Sequence, residues 1–190
     1  MLSDELYIFW TREFGDNLPV ADELKWKFDE RWFRIHTLPD SKRYAANESE
    51  YDEIFFRHNQ ILDDLFDSTN DLILVSCTYS EDNKPTKDSK LEAIGFQENI
   101  WRSLSNEEES YKYYRHLFFD ERLWKVGSLN PLLRLVANDE VNEIMIISAE
   151  KNFVYHPYDG GADVILKDGQ TRDNCKKKYE EWLPDRPDGL

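Results

Sequence analysis

The chain has 190 residues, enough for one domain with a buried core, and 40% of them are apolar, including 6 Trp, 10 Tyr and 11 Phe. Charged residues make up 33% and Gly and Pro only 7 each, which excludes a disordered or low-complexity chain. The formal charge is −15, with the acidic excess greatest in residues 1–70, and a field of that sign repels phosphate backbones and anionic membranes while drawing in a cationic partner.

Residues 3–14 predict a helix, with Ser3 as N-cap, a stripe of Leu6, Tyr7, Trp10 and Phe14, and Gly15 as the stop. Residues 24–37 alternate and are rich in aromatics, which predicts one long strand or two short ones, ended by Leu38-Pro39-Asp40. Asn47 with Glu50 three residues on opens the clearest helix, 48–67, whose apolar face carries Tyr51, Ile54, Phe55, His58, Ile61, Leu62, Leu65 and Phe66. An apolar strand at 71–79, a polar loop at 80–90, an ambiguous stretch at 96–110 and a strand at 111–119 follow.

Ser128 is placed to cap a short helix through Ala137. Strands are expected at 143–149, 153–156 and 162–167, and then a last helix capped by Thr171, with Cys175, Tyr179, Trp182 and Leu183 facing inward. Helices and strands do not alternate regularly. The expected fold is therefore α+β, a mainly antiparallel sheet with helices packed on one face, as a single domain over residues 1–190.

No metal, cofactor or catalytic motif is legible. His36, His58, His116 and His156 lack metal-ligand spacing, and His58 reads as a core histidine. There is no GxSxG elbow, and Gly160-Gly161 lacks both phosphate-loop patterns. Cys77 and Cys175 form no CxxC pair and read as inert thiols of a reducing cytosol. The acidic start of the chain argues against a signal peptide, and no apolar run approaches the roughly 20 residues of a membrane span. A soluble, cytoplasmic protein that is not an enzyme is the expectation.

One face looks suited to contact. Phe56 points roughly 150° away from the apolar stripe of its helix. Asp52, Glu53 and Asp63 surround it on that outer face. An aromatic anchor in a charged rim suits a basic partner, unless another segment covers Phe56. Glu107, Glu108 and Glu109 form a second acidic run, read as the solvated start of a helix. Lys176-Lys177-Lys178 reads as a solvated face.

The stretch from Ile144 (IMIISAEKNFVYHPYDGGADVILKDG) into KYEEWL resembles the DUF3885 family of bacterial proteins, which is marked by a tyrosine-aspartate-aspartate-arginine-glycine motif. Tyr158 and Asp159 match the motif, Gly160, Gly161 and Ala162 replace its remaining residues, and Asp163-Val164-Ile165 matches the strand that follows. The resemblance covers about residues 138–184 and implies a fold rather than an activity. Read physically, Tyr158 to Gly161 is a turn in which two glycines permit positive φ and Asp159 bonds nearby amides, with a binding role for Asp159 as the second possibility.

These features together predict an acidic binding protein, by analogy an immunity protein that neutralises a basic bacterial toxin domain such as a nuclease. A small enzyme whose site assembles only in three dimensions, and a DNA-mimic inhibitor, are the alternatives.

Overall fold

The computed structural model describes residues 3–67, 71–108, 111–186 and 189. Its frame is an antiparallel sheet of β1 (Trp32–His36), β2 (Asp71–Ser80), β3 (Asn99–Glu108), β4 (Tyr111–Leu123), β5 (Met145–Ser148), β6 (Phe153–Tyr158) and β7 (Gly161–Ile165). The spatial order is β1-β7-β6-β5-β2-β4-β3. The helices are α1 (Ser3–Phe14), α2 (Leu24–Lys27), α3 (Glu48–Phe66), α4 (Ser89–Ala93), α5 (Asn130–Ala137) and α6 (Gly169–Lys178).

Successive residues of a strand face opposite sides of a sheet, and here both sides are buried. Along β2, Leu72 and Leu74 enter a core with Ile61, Leu62 and Phe66 of α3 and Leu132, Leu133 and Val136 of α5. Ile73 and Val75 enter a second core with Leu6, Trp10 and Phe14 of α1 and Leu24 of α2. This double burial is why Leu72–Val75 of β2 and Met145–Ile147 of β5 read as unbroken apolar runs. The α+β class and the antiparallel sheet are those the sequence predicts. The layout is fuller than helices on one face, because α1 and α2 add a third layer on the opposite side.

The start of α3 follows its capping residues. Asn47 Oδ1 accepts from the Glu50 N–H at 3.1 Å, and the Glu50 carboxylate accepts from the Ala46 N–H at 2.6 Å. His58 is a core histidine, 1% exposed, with Nδ1 2.6 Å from the Tyr155 hydroxyl.

Several local expectations are corrected. Residues 24–37 form a strand only from Trp32 to His36. The Phe28 N–H bonds the Leu24 carbonyl at 3.0 Å, so Leu24 and Phe28 are neighbours on a helical turn, not alternate residues of a strand. On α1, Tyr7 is 51% exposed and Phe9 joins the core instead. The N-cap of α5 is Leu129, not Ser128, and that of α6 is Asp168, which accepts from the Thr171 N–H at 2.7 Å. Residues 106–108 continue β3, where Glu107 and Glu108 pair in register with Lys112 and Tyr111, so the acidic run does not start a helix. Glu109 lies outside the described residues.

The turn joining β6 to β7 is also built differently. Neither Gly160 nor Gly161 has a positive φ. Gly161 is required for space: a Cβ there would overlap the Ile35 carbonyl oxygen of β1 and lie 2.8 Å from the Tyr158 hydroxyl.

Candidate binding face and the motif cavity

The outer face of α3 is open. Phe56 is 53% exposed, and its ring meets the edge of Trp182 at 6.1 Å between centroids. Trp182 in turn stacks on Tyr179 at 4.8 Å and lies under the Arg57 guanidinium at 5.2 Å. At 100° per residue, Asp52, Phe56 and Asp63 fall within about 40° of one another, and both carboxylates are exposed. Asp63 accepts from the Trp124 indole at 3.2 Å. Glu53 lies to the side, half-buried and ion-paired to Arg57 at 2.6 Å. The face thus presents an aromatic ring with two carboxylates along the same stripe.

Asp159 is not part of that surface. It is 7% exposed and accepts from Arg43 Nε at 2.5 Å instead of from nearby amides. It lines a cavity of about 440 Å³ at the turn between β6 and β7, together with Lys25, Arg34, His156, Tyr158 and Asp163. Asp163, 1% exposed, is the centre of this site. It accepts from Arg34 Nε at 2.8 Å, Arg34 Nη2 at 2.9 Å and the Trp32 indole at 2.9 Å, and Lys25 Nζ lies 3.7 Å away. The antiparallel registers place Arg34, Asp163 and His156 in one row across β1, β7 and β6.

His156 is 6% exposed, and burial pushes its pKa down. Its Nδ1 lies 2.8 Å from the Ile144 carbonyl, which only accepts, so Nδ1 carries the hydrogen and Nε2 is the acceptor in the neutral ring. Burial also raises the Tyr158 hydroxyl. A bidentate guanidinium–carboxylate pair and a neutral imidazole fit the positioning of a polar guest.

Elsewhere the titratable groups are held within the fold. His116 is fully buried, with Ser80 Oγ and Ser103 Oγ each 2.7 Å from one ring nitrogen. Cys77 and Cys175 are free and half-buried, and burial raises both thiols, that of Cys175 to about 11. Lys178 pairs with Asp64 at 2.5 Å, so the lysine run is not wholly solvated. Among the described residues no group of three His, Cys, Asp or Glu is arranged to hold a metal ion, and no helix is long and apolar enough to cross a membrane.

The Arg34–Asp163 pair was missed in the sequence because its members lie 129 residues apart. The usable signal was Asp163 itself, a carboxylate inside an apolar strand, which burial allows only when it is paired.

Fold and sites together define a three-layer α+β protein with an aromatic-acidic helix face and a charged cavity at one turn. The chain belongs to the family described as Domain of unknown function (DUF3885), whose model matches residues 20–187. The match therefore takes in α3, the whole sheet and the cavity, and is far wider than the C-terminal third that the motif alone pointed to. No curated protein and no solved structure matches the chain.

Proposed function

We propose that this protein binds a basic partner protein through the outer face of α3, as an inhibitor of immunity-protein type. The observation that carries this reading is Phe56, half-exposed on a helix whose same stripe holds Asp52 and Asp63. An exposed phenyl ring can be desolvated in a partner pocket while the carboxylates meet the partner's cations at the rim. The charge of −15 supports it by attracting a cationic domain from a distance.

The test is affinity capture from the native host with the wild-type chain, Phe56→Ala, and Asp52→Asn with Asp63→Asn. A basic protein retained by the wild type and lost with both variants supports the reading. Equal retention by all three would sink the α3 face as the interface. A second reading, an enzyme acting in the motif cavity, is favoured by the neutral His156 beside buried charges. It predicts instead a small molecule that binds the wild type and no longer binds His156→Gln.

A further inference from the structure

Arg34 also lines a second concavity, a groove of about 290 Å³ bordered by β1, α6, Leu183, Pro184 and Arg186. Among the described residues, four that line it, Arg34, Arg172, Lys176 and Arg186, are cationic and one, Asp29, is a carboxylate, while Asp163 and Asp173 pair with Arg34 and Arg172. Trp32, Leu183 and Pro184 supply an apolar wall.

The cations are held in place by the fold. Arg172 gives Nε to Asp173 at 2.6 Å and Nη1 to the carbonyls of Asp29 and Trp32, each at 3.3 Å. Arg34 gives Nε and Nη2 to Asp163, which also fixes the Trp32 indole. Among the described residues these contacts leave Arg172 Nη2 and Arg34 Nη1 unengaged, and the half-buried Lys176 has no ion pair. Lys176 lies one turn beyond Arg172 on the same face of α6.

We propose that this groove binds a small phosphate monoester, with Arg172 and Lys176 holding the oxyanion and Trp32 receiving the flat or apolar group that carries it. Guanidinium geometry matches phosphate oxygens, and the unengaged Arg172 Nη2 beside the Lys176 ammonium favours a dianion over a monoanion. A long polyanion would run from the groove onto the acidic surface and be repelled, so the site selects small ligands.

Phenyl phosphate titrated into the full chain by calorimetry tests the proposal, with inorganic phosphate and benzoate as comparison probes. Saturable one-to-one binding is expected, tighter than for either comparison probe. It should weaken at least tenfold in Lys176→Ala and remain unchanged in Lys177→Ala, a neighbouring exposed lysine. Binding should also weaken as pH falls below about 6, where the dianionic ester takes up one proton and becomes a monoanion. Lack of saturation at millimolar phenyl phosphate, equal loss in the two lysine variants, or equal binding of benzoate would each overturn it. Thermal melts of both variants show that the fold is kept, so a loss in Lys176→Ala reads on the groove.

Discussion

Two phenylalanines of α3 make opposite forecasts. Phe66 is fully buried, stacked on Trp124 at 5.2 Å and edge-on to Phe153 at 5.1 Å. Phe66→Ala should cost roughly 3–5 kcal/mol, because it removes apolar burial and leaves a cavity. Phe56→Ala should cost less than about 1 kcal/mol, since the ring is half in water already. Urea denaturation of the pair checks both values. The same measurement separates the two turn glycines. Gly161→Ala should destabilise by several kcal/mol, on the order of a severe core substitution, while a Cβ on Gly160 makes ordinary contacts with the Arg43 and Tyr158 side chains, each at 3.5 Å, and should be tolerated. Asp163→Ala removes the buried carboxylate that Arg34 and Lys25 face, so a loss of about 3–5 kcal/mol is expected. The need for Gly161 could not be read from the sequence. It arises from the Ile35 carbonyl of a strand far away in the chain.

At the scale of elements, capping decides where helices begin. Asn47→Ala should destabilise by about 1 kcal/mol, because the Glu50 N–H loses its acceptor at the start of α3. At α6, Asp168→Ala should cost a similar amount, and Thr171→Ala should cost less because the backbone N–H of residue 171 still donates to Asp168 when the side-chain bond is lost. The opposite ranking in thermal melts would restore Thr171 as the cap. Helix 48–66 was legible because a strong cap and a long apolar period agree. Residues 24–31 were not, since Leu24, Trp26 and Phe28 fit alternation as well as helical spacing in so short a stretch. The burial of Leu24 against α1 decided the matter.

For the molecule as a whole, buried histidines set the response to acid. Burial lowers the His58 pKa to about 3 and pushes those of His116 and His156 down as well. The unfolded chain takes up protons near pH 6.5, whereas folded His58 resists until about pH 3. Stability should therefore fall as pH drops below about 6.5, by on the order of 1 kcal/mol per pH unit for each fully buried ring. Glu98, whose carboxyl is raised by burial, works in the opposite sense within the carboxylate range. Urea midpoints across pH 7 to pH 4 check this, and a flat profile would contradict the burial of His58. The charge of −15 makes a separate forecast about salt. Association with a basic partner should slow markedly between low and physiological ionic strength, as measured by stopped-flow mixing once a partner is in hand.

By itself, the sequence determined the α+β class, the long α3 helix, the order of the C-terminal strands and the outward aim of Phe56. These follow from periodicity and capping, which act between residues close in the chain. It also determined the acidic field, which depends on composition alone. Tertiary structure alone decided that the sheet is covered on both faces, that Asp159 faces Arg43 instead of the acidic surface, and that Gly161 must lack a side chain. It also brought Arg34, Asp163 and His156 into one row, with the Trp32 indole donating to Asp163. Those outcomes depend on strand order and register, which set distances between groups more than a hundred residues apart, and no local pattern records them.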